Sequence, residues 1–327
     1  MRAVCLENTE RNFNMYRNLT KISTLNMPHD MWLEHRRKSI GGSDAASIIG
    51  LNPWCSPYCV WADKLGRIPP KEDNEAMRLG RDLEDYVAKR FTEETGKKVR
   101  RENNIIINPD FPFAHANVDR LVIGEDAGLE CKTTSSLNLK KFKHGEYPEQ
   151  YYVQCVHYMM VTGCKKWYIA VLVLGVGFYV FEIERDEGEI SALAESEEAF
   201  WEYVSKKSPP PTDGKKSTTE AIVTMYPDSN DEGNVSLFAY ESDLKQYMVL
   251  GKRIAELKEL QDGYANKVKA YLGETMQGSS QSYKVSWKTA VRATFDVKRF
   301  INDHPSLNLT DYYNKTTYRT FKVSENS

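Results

Sequence analysis

Apolar positions along the chain recur with two different periods. In "NEAMRLGRDLEDYVAKRFTEETG", Met77, Leu79, Leu83, Tyr86, Val87 and Phe91 stand three and four residues apart, and Gly96 follows. That spacing predicts an amphipathic helix stopped by the glycine. Upstream, Met31 to Leu51 read as a helix, a Gly-Gly turn and a second short helix starting at Ser43 or Asp44, both good N-cap residues. "NPWCSP" is a turn, and Tyr58 to Leu65 predict one more short helix, ended by Gly66. Downstream the period drops to two. Strands are predicted over Lys98 to Ile107, Ala116 to Ile123 and Leu129 to Thr133, with the "GEDAG" turn before the last. A helix from Pro148 to Thr162, a hairpin of Trp167 to Leu174 and Gly177 to Ile183, and a helix from Asp186 to Ser205 complete the series. This order predicts an α/β fold, a mixed sheet covered by helices.

Two polar stretches, "KKSPPPTDGKKSTT" and "YPDSNDEGN", read as connectors. The expected organisation is an N-terminal extension over 1–29, a core over 30–210, a linker over 211–234 and an α+β C-terminal module over 235–327. In that module Leu237, Tyr240, Leu244, Tyr247, Ile254, Leu257, Leu260, Tyr264, Val268 and Tyr271 mark a long helix at near-heptad spacing, suited to a hairpin arm or a coiled coil. Beyond it, Tyr283, Val285, Trp287, Val291, Ala293 and Phe295 alternate with Lys284, Lys288 and Arg292. That alternation predicts a strand pair with one apolar and one mostly basic face.

Composition narrows this only a little. The 327 residues are 28% charged and 41% hydrophobic, as in a soluble globular protein, and the net charge of −2 provides no global basic field. Local basic clusters (Arg36-Arg37-Lys38, Lys97-Lys98 with Arg100-Arg101, Lys140-Lys141 with Lys143) are by themselves solvated faces. The six cysteines show no zinc-ligand spacing, and the N-terminus has no apolar signal-peptide segment, so a reducing cytosol is expected. The most apolar stretch, Trp167 to Phe181, is too short and too interrupted by glycine to span a membrane.

The chemistry concentrates in "GLECKTT". Glu130 and Lys132 are two apart in a strand and share a face. As a surface ion pair they would be worth very little. If the "GEDAG" hairpin pairs Asp119 opposite Lys132, all three side chains meet on neighbouring strands. Two close carboxylates need a counter-charge, which a hard divalent cation such as Mg²⁺ supplies. The lysine would then orient water or stabilise a charged transition state, and Cys131 would face the core. Glu84 on the long amphipathic helix offers a third carboxylate. Gln154 and Tyr158, four apart, share one helix face, while His157 beside them reads as an ordinary helix-face histidine. Short D…ExK patterns also arise by chance, so a structural hairpin with solvated charges stays open.

"IGGSDAASIIGLNPW", "RLGRDLE", "HANVDRL", "GLECKTT" and "QYYVQCVHYMM" stand in the order seen in the YqaJ-type viral recombinases. Residues 30 to 185 resemble these phage nucleases, relatives of lambda exonuclease in the PD-(D/E)XK superfamily. The resemblance implies a restriction-endonuclease-like core with two Mg²⁺ ions, replaceable by Mn²⁺. It implies Asp119, Glu130 and Glu84 as metal ligands, with the Cys131 backbone carbonyl, Lys132 as catalytic lysine, and Gln154 and Tyr158 as the QxxxY element. It also implies a 5′-phosphate and DNA site at Arg36 and Ser43, flanked by Gln154, with Asn117 standing where the lambda-type enzyme carries a hydroxyl. A helix opening at Gly41-Gly42-Ser43 would favour an anion, and an arginine can clamp phosphate, although an ordinary capped helix explains the same residues.

The implied activity is removal of one strand from the ends of double-stranded DNA, 5′ to 3′, by two-metal hydrolysis. It would supply a single-strand annealing recombinase in phage-type recombination, in the bacterial host cytoplasm, from a ring-shaped homotrimer. The C-terminal module departs from the minimal lambda-like core. Its basic strand face is a candidate DNA contact, with solvated edge lysines as the alternative. Two other readings remain. One is an endonuclease or a repair or CRISPR-associated nuclease, whose iron–sulfur branch needs cysteines beyond the last one here, Cys164. The other is an inactive DNA-binding module, which would be expected to have lost part of the acidic set.

Overall fold

The computed structural model describes residues 18–230, 233–309, 312–314 and 316–325, with only the backbone of residues 143 and 144. Residues 1–17 of the expected N-terminal extension, Cys5 among them, lie outside the described residues, as does the Lys143 side chain. The chain divides into two compact units, Met1–Tyr226 and Pro227–Ser327.

The first unit begins with β1 (Thr20–Ser23), α1 (His29–Arg37), β2 (Ile40–Gly41), α2 (Gly42–Ile48), α3 (Pro57–Lys64) and α4 (Glu75–Thr95). Then come β3 (Val99–Arg101), β4 (Asn104–Ile107), β5 (Ala114–Asn117), β6 (Arg120–Val122) and β7 (Ala127–Thr134). A 3-10 segment (Ser136–Gly145), α5 (Glu149–Thr162), β8 (Lys166–Val173), β9 (Gly177–Glu184), α6 (Glu187–Ser205) and α7 (Lys216–Met225) complete it. One sheet has the order β3-β6-β7-β8-β9 and the other β1-β4-β5-β2. Among the described residues, only β7 with β8 and β2 with β5 run parallel. These mixed sheets flanked by helices are the α/β architecture expected.

The long amphipathic helix forms where its spacing places it. The Asn74 side chain accepts the Met77 N–H at one end, and Gly96, at φ 73°, closes the other. Its Val87, Ala88 and Phe91 bury against Val122, Leu129, Tyr168 and Ala170 on one face of the larger sheet. The opposite face carries Trp167, Ile169 and Val171 and is covered by α5, every residue of which from Val153 to Thr162 is buried. Burying each large apolar side chain stabilises the fold by about 1.5–3 kcal/mol.

Several expectations need correcting. The strands expected over Lys98 to Ile107 and Ala116 to Ile123 each break in two and pass between sheets. Arg101 pairs with Arg120 and Ile105 with Asn117, leaving three residues (102–104) on one strand against two (118–119) on the other. A one-residue mismatch of this kind bends and twists a strand pair, as a bulge does. The register Arg120↔Leu129 also ends the β6–β7 ladder at Arg120, so Asp119 does not pair opposite Lys132. The N-cap of α2 is Gly41 rather than Ser43 or Asp44, because the Asp44 carboxylate reaches back 3.0 Å to accept the Gly41 N–H.

The boundaries shift as well. Part of the extension is β1, which pairs with β4 and satisfies its edge. Part of the linker is α7, whose Ala221 is buried and whose Thr218 hydroxyl donates to Ser56 Oγ at 2.7 Å. In the second unit α8 (Glu241–Leu272) covers most of the expected long helix. It is followed by β10 (Gln277–Ser279), β11 (Lys284–Ser286) and α9 (Val297–Asp303). The alternating strand pair is therefore much shorter than expected, since residues 287–296 find no strand to bond with. Among its described residues this unit buries none.

Candidate active site

The break between β5 and β6 sets the site. Freed from the ladder, Asp119 turns its own carboxylate to β7, where Oδ2 accepts the Cys131 N–H at 2.8 Å. Alternation along β7 sends Leu129 and Cys131 towards α4, and Glu130 and Lys132 towards α5. There the Lys132 ammonium donates to Glu130 Oε1 at 2.5 Å and to Gln154 Oε1 at 2.9 Å. The Gln154 amide donates in turn to Glu130 Oε1 and to the Tyr158 hydroxyl, each at 2.8 Å. The expected pair on α5 thus ties the ExK strand to its helix.

A half-buried acid beside other carboxylates does not ionise cheaply. Burial, then the nearby Glu130 and Glu84 charges, push the Asp119 carboxyl well above the usual carboxylate range. Burial works against the Lys132 ammonium, but Glu130 and Asp119 outweigh it and raise its pKa, so the lysine is charged. Glu130 Oε2 is buried and has no hydrogen-bond partner, and the same holds for Asn117 Oδ1, two residues before Asp119. Glu84 is close enough for its charge to act on Asp119, but no hydrogen bond joins the two carboxylates. It is held by Arg120, and among the described residues no three His, Cys, Asp or Glu side chains form a ready-made metal-ligand set.

A second cluster gathers Arg36 and Ser43, as the spacing suggested. Arg36 donates to Ser43 Oγ at 2.8 Å, lies 3.6 Å from Asp44, and stacks over Trp32 at 5.0 Å. Lys64, with its side chain 1% exposed, donates to Asp44 Oδ2 at 2.6 Å and to the Arg36 carbonyl at 2.7 Å. Burial opposes ionisation of Asp44, yet Lys64 and Arg36 hold its pKa well below the usual range. The two clusters meet at Gly42. A Cβ there would stand 2.6 Å from the Tyr158 ring, so only glycine lets α2 lie against α5.

His157 is no helix-face histidine. It is fully buried in the core, bonded through Nδ1 to Glu197 at 2.7 Å and through Nε2 to the His115 carbonyl at 2.9 Å. Three site residues escaped the sequence reading: Arg120, Lys64 and Tyr151, whose ring lies 5.0 Å from the Lys132 ammonium. A basic residue in a position that alternation buries was the available signal for Arg120.

The family described as YqaJ-like viral recombinase domain matches residues 31–165. The uncharacterized protein YqaJ of Bacillus subtilis strain 168 is 38% identical over 308 residues, 91% of this chain and 95% of that protein. The chain belongs to the YqaJ-like viral recombinase family. Among solved structures, this family member resembles the alkaline exonuclease LHK-Exo of Laribacter hongkongensis, one crystal of which holds dAMP. That match is 22% identical, covers 54% of this chain and 93% of the other, and has a TM-score of 0.48. A phage-related exonuclease of Haemophilus somnus 129PT matches at 15% identity over 52% of this chain and 96% of its own, with a TM-score of 0.42. No helix among the described residues is long and apolar enough to cross a membrane.

Proposed function

We propose that this YqaJ-like protein is a Mg²⁺-dependent exodeoxyribonuclease with a PD-(D/E)XK site, removing one strand of double-stranded DNA from its 5′ end for annealing-based recombination. The observation that carries the reading is a charged lysine bonded to the buried Glu130 carboxylate and held there by Gln154, with the Asp119 carboxylate anchored on the next residue of the same strand through the Cys131 N–H. Asp119 and Glu130 fit a hard divalent cation, because Glu130 Oε2 is a buried acceptor without a donor and Asp119 is crowded by negative charge. Such an ion would neutralise the acids and acidify a water.

The chain's own residues account for the remaining work. Lys132 places an ammonium where negative charge grows on a phosphoryl oxygen as the P–O bond breaks. Gln154 and the Tyr151 ring fix its direction. Arg36, seated on Trp32 and held by Ser43, is the candidate clamp for a 5′-terminal phosphate, with Asp44 already neutralised by Lys64. A seven-residue α2 adds little dipole of its own.

The test uses linear duplexes labelled at one 5′ or 3′ end, with a 5′-phosphate or 5′-hydroxyl, alongside a closed circle and Lys132→Ala. Loss from the 5′ end that needs Mg²⁺ or Mn²⁺, runs faster with phosphate and spares the circle supports the proposal. Cutting of the circle would make the protein an endonuclease, and no cleavage of any substrate would leave a DNA-binding module.

A further inference from the structure

Arg120 follows Asp119 in the chain and, paired with Leu129, faces the side of the sheet on which α4 packs. Its side chain is 4% exposed. One guanidinium nitrogen reaches Glu84 Oε1 at 2.5 Å and the Asp119 carbonyl at 2.6 Å, while the other reaches Asp85 Oδ1 at 2.5 Å. Arg101 holds the same Asp85 oxygen from the far side at 2.7 Å. Removing an arginine from water is costly, and this one has three oxygen acceptors in return.

All three acceptors belong to two neighbouring elements, the backbone of Asp119 and the consecutive acids of α4. We infer that Arg120 is a positioning residue of the acidic centre, pinning α4 to the backbone of Asp119 in the break between β5 and β6 and thereby fixing Glu84 beside it. This rests on the nuclease reading above. Asp85 gives Arg120 a second carboxylate partner when Glu84 is engaged elsewhere. A lysine could not replace it, because one ammonium cannot present a planar fork to acceptors on two elements.

The sign of one measurement separates this role from a general electrostatic one. By charge alone, deleting a cation beside an acidic centre tightens binding of a divalent ion. Loss of a residue that holds a carboxylate in place weakens it. The experiment titrates Mg²⁺ against the thermal unfolding of the full chain, and in parallel measures kcat and KM for 5′-phosphorylated duplex. Arg120→Gln is expected to raise the Mg²⁺ midpoint about tenfold and lower kcat with KM for DNA unchanged. In a Glu84→Gln background the same change is expected to add no further shift, since both act through one carboxylate. Arg120→Lys keeps the charge and much of the stem, and serves if the glutamine variant fails to fold; a rise of about threefold is expected.

A midpoint that falls or stays put in either Arg120 variant, or effects of Arg120 and Glu84 that simply add, overturns the inference. Wild type without any Mg²⁺-induced shift that Asp119→Asn removes would overturn the nuclease reading itself, and this role with it. A normal wild-type shift that Arg120 variants leave intact would overturn the role of Arg120 alone.

Discussion

Gly42→Ala tests the joint between the two clusters. The added methyl would stand 2.6 Å from Tyr158 Cε1 and 2.9 Å from Cζ. Ordinary contact begins at 3.4 Å, so the ring must retreat by about 0.8 Å (3.4 less 2.6). It has little room, being 4% exposed and packed on Trp167 at 5.1 Å between ring centroids. Overpacking of this kind costs about 1–3 kcal/mol. The 2.8 Å bond from the Gln154 amide to the Tyr158 hydroxyl would stretch past useful range and lose about 1 kcal/mol more. The total is about 3 kcal/mol, a fall of about 6–12 °C in Tm for a unit of this size. Gln154 also carries Lys132, so kcat for the proposed DNA cleavage is expected to drop by about tenfold or more. The control is Gly80→Ala, inside α4 with nothing within 4 Å of the new methyl, which is expected to stabilise by about 0.4–1 kcal/mol. Thermal and urea unfolding of the three proteins decides the matter. If Gly42→Ala unfolds within about 0.5 kcal/mol of wild type, the packing argument is wrong.

Lys132→Met is expected to cut cleavage by at least about 100-fold while end binding, measured by anisotropy, persists; retained cleavage would remove the lysine from the chemistry. His115, driven down to about 3 by burial and then by the Lys64 charge, stays neutral in the native protein. The unfolded imidazole titrates near ~6.5, so the unfolded chain binds the extra proton between those values, and stability falls as pH drops from about 6.5 towards 3. Tm against pH should therefore slope less in His115→Asn, and an unchanged slope would refute the assignment. Both apolar cores lie at or before Met225, so a chain ending at Tyr226 is expected to unfold cooperatively and to keep Mg²⁺-dependent cleavage. Non-cooperative melting of that fragment would show the division of units to be wrong.

The α4 helix was legible because its apolar spacing and its stop at Gly96 agree with one another. The hairpin of β8 and β9 was legible from an apolar run broken at Gly175 and Gly177, and the helix after it from its apolar spacing behind the Asp186 cap. Which strand faces which is another matter. Asp119 and Lys132 looked like opposite partners because hairpin register was inferred from the turn, but Arg120 pairs with Leu129 rather than Cys131 and the ladder stops before Asp119. Lys64 and Arg120 were missed because a basic side chain in sequence reads as solvent-facing, and only the fold reveals acids waiting for it. Beyond Trp287 the alternating pattern had no partner to turn it into a strand.

The clasp formed by α7 has a consequence for how the protein is born. Thr218 bonds Ser56 across 162 residues, and the Trp61 indole donates to the Tyr203 carbonyl across 142. A ribosome adding about 5–20 residues per second takes about 8–32 s to bring Thr218 out after Ser56. Throughout that interval the nascent first half holds α3 without the helices that cover it, its apolar side chains open to chaperones and to neighbouring chains. Closure therefore awaits the last helix of the unit, and a transcript truncated before it is expected to yield polypeptide for degradation rather than a partly folded unit.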